Sequence, residues 1–113
     1  MTLEETIRAN ELFDAYGVLL TQNQQDVLVA YISQNESLGE IAVKNNTTRQ
    51  AVSDLISRAI LKLENYESKL HLVEKFNFVL NKIPQVAHKL TNNSELEKEI
   101  VFAYTDLFKR LED

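Results

Sequence analysis

Residues 37–59 read SLGEIAVKNNTTRQAVSDLISRA. Two short apolar periodicities of helical type are separated here by Asn45, Asn46 and Thr47. Ser37 is followed three residues later by Glu40, a pairing that satisfies two orphan backbone N–H groups at a helix start. Leu38, Ile41 and Ala42 then recur at the spacing of one helix face. Asparagine tolerates the left-handed backbone conformation better than most residues, so Asn45–Thr47 is where the chain reverses. Thr48, or Thr47, supplies a hydroxyl to cap a second helix. On that helix Val52, Leu55 and Ile56 face the first, and the small Ala42 permits a close crossing. The spacing therefore predicts a helix-turn-helix with a motif core of Leu38, Ile41, Ala42, Val52, Leu55 and Ile56.

This arrangement leaves Arg49, Gln50, Ser53, Asp54 and Ser57 pointing away from the core. Arginine forks onto guanine or phosphate, glutamine pairs with adenine, and a helix N-terminus favours an anion. The candidate DNA-contacting set is Lys44, Thr48, Arg49, Gln50, Ser53, Asp54, Ser57 and Arg58. The competing reading of the same residues is the solvated side of an amphipathic helix.

Outward from the motif, Thr2 with Glu5, Thr21 with Gln24, and Ser94 with Glu97 repeat the capping signature. They predict a first helix over Leu3–Tyr16 ending at Gly17, with Ile7, Leu12, Phe13 and Tyr16 near one face. A second helix follows Thr21 and buries Val27, Leu28, Tyr31 and Ile32. From Thr48 the apolar pattern continues through Ala59, Leu63, Tyr66, Leu70, Val73 and Leu80. It predicts one long helix, bent or broken near His71 and ending before Pro84, the only proline. A last helix over 95–111 turns Leu96, Ile100, Tyr104, Leu107 and Leu111 inward.

The chain is 113 residues long, enough for one modest core. With 44% hydrophobic and 26% charged residues it is globular in composition, and no apolar run is long enough to span a bilayer. The absence of cysteine excludes disulfides and thiolate chemistry. The two glycines stand apart, so no phosphate-cradling loop forms, and neither His71 nor His88 belongs to a metal-ligand spacing. Nothing assembles a nucleophile, base and oxyanion site, so the chain reads as a non-enzyme without cofactor or metal, in the cytoplasm.

The net charge is −5, unevenly spread. Residues 1–36 carry one base against six acids, residues 37–66 four bases against three acids, and residues 67–113 seven bases against eight acids. Duplex binding of useful strength engages ~6–10 phosphates, whereas Lys44, Arg49, Arg58 and Lys62 offer at most four. A monomer should therefore bind DNA weakly. The series from Val52 to Leu80, with Asn77 as a polar position, is heptad-like, and the surplus of apolar residues along it favours a homodimer over packing within one chain.

The stretch SLGEIAVKNNTTRQAVSDLISRAILKLENYESKLHL resembles the YlxM family of helix-turn-helix proteins and, beyond it, region 4 of sigma factors. LLTQNQQDVLVAYISQNESLGEIA resembles the same family's approach to the motif. The resemblance covers most of residues 1–75 and little of the last third. It implies an all-α fold of the sigma region 4-like, winged-helix-like class, with a long helix and a C-terminal helical extension. The domain organisation expected is a single domain over 1–113, with the motif core in 17–66 and a packing or dimerising extension in 67–113. It further implies a DNA-binding regulatory protein associated with the signal recognition particle pathway, because the family's genes lie beside those of that particle's GTPase and its receptor. The alternative is an interaction module for protein or ribonucleoprotein components of that pathway, without DNA binding. Two positions depart from the sigma pattern: Asn46 and Thr47 stand where a glycine and an aliphatic residue are usual.

Overall fold

The computed structural model describes residues 1–90 and 93–111. Its elements in chain order are α1 (Leu3–Tyr16), a short 3₁₀ turn (Gly17–Leu19), α2 (Gln22–Leu28) running into a π-helical turn (Val29–Ser33), α3 (Leu38–Lys44), α4 (Arg49–Leu70), α5 (Leu72–Leu90) and α6 (Ser94–Leu111). The fold is all-α, and the described residues contain no strand. No helix among them is long and apolar enough to cross a membrane.

The chain forms two compact units, residues 1–71 and the remainder from Leu72. In the first unit α1, α2 and α3 all pack on α4. The reason is the stripe Val52, Ile56, Ala59 and Leu63, which is buried along α4 at helical spacing. Against it lie Leu12 and Tyr16 of α1, Leu28 of α2 and Ile41 of α3, the largest fully buried side chains together with Leu63. Phe13 is half-buried, whereas Ile7 is exposed, so the buried face of α1 is Ala9–Leu12–Tyr16 rather than one including Ile7.

Local signals fix the helix starts. Thr2 with Glu5 and Thr21 with Gln24 form complete capping boxes, and Ser37 accepts a hydrogen bond from the Glu40 N–H. Gly17 follows α1 in right-handed rather than left-handed conformation (φ −55°). Its role is space: a Cβ there would lie 3.0 Å from the Phe13 ring. The second helix widens at Val29–Ser33, where Gln34 N–H bonds to the Val29 carbonyl, and Asn35 then adopts φ 54°. That turn leaves Tyr31 and Ile32 half-buried rather than buried.

Polar contacts add to the packing of α1 on α4. Arg8 forks onto Glu64, with Nε–Oε1 at 3.2 Å and Nη2–Oε2 at 3.1 Å. The hydrogen bond to Glu64 holds the Arg8 guanidinium charged above its ordinary range. Both side chains remain over 40% exposed, so the pair adds little stability. The second contact is buried: the Tyr16 hydroxyl donates to Glu67 Oε1 at 2.5 Å, and the Tyr16 and Tyr66 rings lie 5.9 Å apart. Glu67 is 5% exposed and is the only charged side chain buried among the described residues.

The long helix is broken, as the pattern near His71 allows: His71 takes φ 55° and its N–H closes α4 on the Glu67 carbonyl. The next helix, however, does not end before Pro84. It passes through that residue to Leu90. Proline there forfeits one backbone hydrogen bond. Pro84 and Ala87 pack on the α6 side of the hairpin, and this burial holds the helix together across the missing bond. At the start of α6 the cap is Asn93, whose Oδ1 accepts from Glu95 and Leu96 N–H, instead of Ser94. Glu97, freed from that role, lies 3.2 Å from His88 Nδ1. Leu96, Tyr104 and Leu107 are exposed rather than inward, and the Leu111 side chain lies outside the described residues.

Replacing Tyr16 by Phe removes the hydroxyl that donates to Glu67 in a buried setting and should lower unfolding free energy by about 0.5–1.5 kcal/mol in urea melts, with α-helical circular dichroism unchanged. A loss below about 0.3 kcal/mol would show that the pair is energetically idle. Burial, and then the Glu11 charge, push the Asp14 carboxyl above its usual range. An acid of raised pKa binds its proton more tightly in the folded chain, so its contribution favours folding at acid pH and fades as pH rises. Asp14→Asn should therefore raise the melting temperature near neutral pH and leave it unchanged at acid pH.

Candidate nucleic-acid interface

The crossing of α3 and α4 is built as the spacing requires. Ile41, Ala42 and Val52 are at most 4% exposed, with Ile56 at 6%, while Leu38 and Leu55 are half-buried at the edge of the wedge. The turn between the helices has a defined hydrogen-bond pattern. Thr47 N–H donates to the Ala42 carbonyl at 3.0 Å and Asn46 N–H to the Val43 carbonyl at 3.3 Å, the paired bonds of a Schellman ending. That geometry needs a left-handed residue, and Asn46 supplies it at φ 54°. Thr47 is exposed, so the hydrophobic contact that usually accompanies this ending is missing. The Thr48 hydroxyl accepts from Ala51 N–H at 3.1 Å and caps α4.

The first three turns of α4 carry most of the candidate contact residues. Arg49, Gln50, Asp54, Ser57 and Arg58 are exposed, and Ser53 is half-buried. Arg49 does not project freely from its backbone. Its Cδ and Nε lie 3.9 Å from where a Cβ on Gly39 would stand, so the stem crosses the start of α3 over that glycine. Gln50 Nε2 donates to Asp54 Oδ1 at 2.9 Å, one turn along the same helix. Thr48 spends its hydroxyl as a cap. Lys44 is ion-paired with Glu36, which sits after the left-handed Asn35 and is drawn in by the π turn. Ser53 and Ser57 share a shallow cavity of about 220 Å³ with Tyr31, Leu38, Ile56 and Ile60.

The structure thus brings Arg49, Gln50, Asp54, Ser57 and Arg58 to one end and side of α4, and sets Lys44 apart in its own pair. Two participants escaped the sequence reading. Gly39 gives room to Arg49, and Glu36 neutralises Lys44; neither relationship has a helical spacing that would announce it.

A short α3 locked across the start of a longer α4, with polar residues on the outer side of α4, defines a helix-turn-helix protein. The family described as "Putative helix-turn-helix protein, YlxM / p13 like" matches residues 3–102, and the chain belongs to that family. It is 42% identical over 107 residues to a UPF0122 protein of Bacillus licheniformis, covering 95% of this chain and 99% of that one. It is 43% identical over 103 residues to YlxM of Bacillus subtilis, covering 88% and 90% of the two chains. A UPF0122 protein of Clostridium acetobutylicum is 50% identical over 74 residues, covering 66% and 64%.

The turn makes its own prediction. Asn46→Gly should hold or raise thermal stability, whereas Asn46→Val should lower it by about 1–2 kcal/mol because a β-branched residue resists positive φ. Equal melting of the two variants would show that position 46 does not need the left-handed conformation.

Proposed function

We propose that this chain is a DNA-binding regulatory protein, with α4 as its recognition helix in a sigma region 4-like motif. The observation that carries this reading is the split along α4: Val52 and Ile56 are buried while Arg49, Gln50, Asp54, Ser57 and Arg58 stand exposed at its N-terminal end. Arg49 and Arg58 serve phosphate or guanine, and Gln50, once released from Asp54, serves a base edge. In the same reading residues 17–66 form the reading head and residues 67–113 the extension that assembles it.

Affinity in this reading is modest. Lys44 is paired with Glu36, so Arg49, Arg58 and Lys62 remain as the cations of the motif, against the ~6–10 phosphate contacts of strong binders. Two copies on one duplex would double the count. The setting in the signal recognition particle pathway rests on the family resemblance alone. A second reading, in which the motif serves as an interaction module in that pathway, is favoured by the acidic first 36 residues and by the neutralised Lys44.

Fluorescence anisotropy of a mixed-sequence duplex across a salt series separates the two. For each head engaged, the slope of log affinity against log salt should be about −3. Arg49→Ala with Arg58→Ala should flatten it by about 2. Binding that the double variant leaves intact, or that ignores salt, would overturn the DNA reading in favour of the interaction module.

A further inference from the structure

The C-terminal unit is a helical hairpin with more apolar surface than its two helices cover. Antiparallel packing is set by Pro84 sharing a cavity with Val101 and Thr105, and by His88 meeting Glu97. On α5, Leu72, Phe76, Val79, Ile83, Val86 and Leu90 alternate by four and three residues, the spacing of a helix–helix seam. Val73 and Ala87, on the neighbouring face, are buried; the seam is not. Ile83 is half-buried, and the other five are exposed, from 37% at Leu72, Phe76 and Val79 to 76% at Leu90. On α6, Leu96, Ile100, Ala103 and Leu107 repeat the four-three spacing, with Leu96 and Leu107 about half exposed.

Helical geometry puts both seams on one side of the hairpin. Each lies roughly a quarter turn from the line of contact between the helices, and because the helices run in opposite directions the two rotations bring the seams to the same side. The charges bordering that side are segregated. Lys75, Lys82 and Lys89, spaced by seven, line the outer edge of α5. Glu95 and Glu99 are exposed along the outer edge of α6, with the half-buried Asp106 in the same register.

We infer that this face is covered by the same face of a second copy of the chain, with α5 of each copy lying over α6 of the other in a four-helix bundle. The charge pattern selects this pairing. A two-fold axis parallel to the helices sets the lysine edge of one copy against the acidic edge of the other. The alternative axis, across the helices, sets lysine against lysine, which is repulsive. The parallel axis also preserves height along the bundle. Since residue 84 is level with residue 101, Lys89 falls beside Glu95 and Glu99 of the second copy, Lys82 between Glu99 and Asp106, and Lys75 about one turn beyond Asp106. An interface in which the same patch meets itself closes at two subunits. This assembly stands independently of DNA binding, and in the proposed function it would bring a second copy of the motif to the duplex.

Light scattering coupled to size exclusion, on the full chain, tests it. The parent should elute as a dimer of the 13.0 kDa chain. Lys82→Glu with Lys89→Glu, and separately Glu95→Lys with Glu99→Lys, should each weaken dimerisation at least about tenfold, since exposed charge pairs turn from attraction to repulsion. Mixing the two variants in equal amounts should restore a dimer containing one of each, which a merely unfolded variant could not do. A monomeric parent overturns the inference. So does a mixture that stays monomeric, or an acidic-edge variant that dimerises as the parent does, the signature of α5 packing on α5. Loss of DNA binding with the dimer intact would count against the proposed function alone.

Discussion

The helix-turn-helix depends on how closely α3 is held across the start of α4. Ala42 and Ile41 are buried against Val52 with almost no exposed surface, and the same Ala42 carbonyl receives the Thr47 N–H that closes the turn. One residue thus takes part in both the packing and the hydrogen bonding of the crossing. A larger side chain at Ala42 would push α3 away and pull on the turn together, since a packed core has little room to absorb added volume. The direction in which Arg49 leaves the surface follows from that crossing, because its stem crosses α3 over Gly39.

The motif sits on a helix that does structural and presenting work at different ends. Beyond Ile56, α4 carries Ala59, Leu63 and Glu67 into contact with the preceding helices, with the Tyr16 hydroxyl anchoring Glu67. Its first turns are left exposed by the same periodicity. In the proposed function, a helix fixed along most of its length presents its exposed turns rigidly, and rigidity of a contact surface reduces the ordering cost of binding. The weak point is charge, for the first 36 residues are acidic and the motif holds few bases. In the proposed function, weak single heads and the proposed pairing of hairpins belong to one assembly.

Much of this was legible in the residues because it is local. The capping pairs at Thr2, Thr21 and Ser37, the left-handed tolerance of Asn46, and the buried stripe of α4 are all short-range patterns that helical geometry reads directly. The break at His71 falls inside an apolar register that runs on from Leu70 to Val73 and Leu80, and the left-handed φ of 55° at His71 is what interrupts the helix. The course of α5 through Pro84 was not legible, since local chemistry argues for a stop and packing on α6 overrides it. The cap at Asn93 competed with an equally good signal at Ser94. Within the candidate site the outward face of α4 could be read from spacing. The Lys44–Glu36 pair and the crossing of Arg49 over Gly39 could not, because both depend on turns that bring non-periodic positions together.

The most direct test follows backbone amide shifts of the full chain while a short duplex is titrated in at low salt. On this account the perturbed amides cluster between Asn46 and Arg58, from the turn through the first turns of α4, with α1 and the acidic edge of α6 unaffected. Shifts confined to α1 or to the C-terminal hairpin, or none where the chain is saturated, would contradict the claim that α4 is a recognition helix.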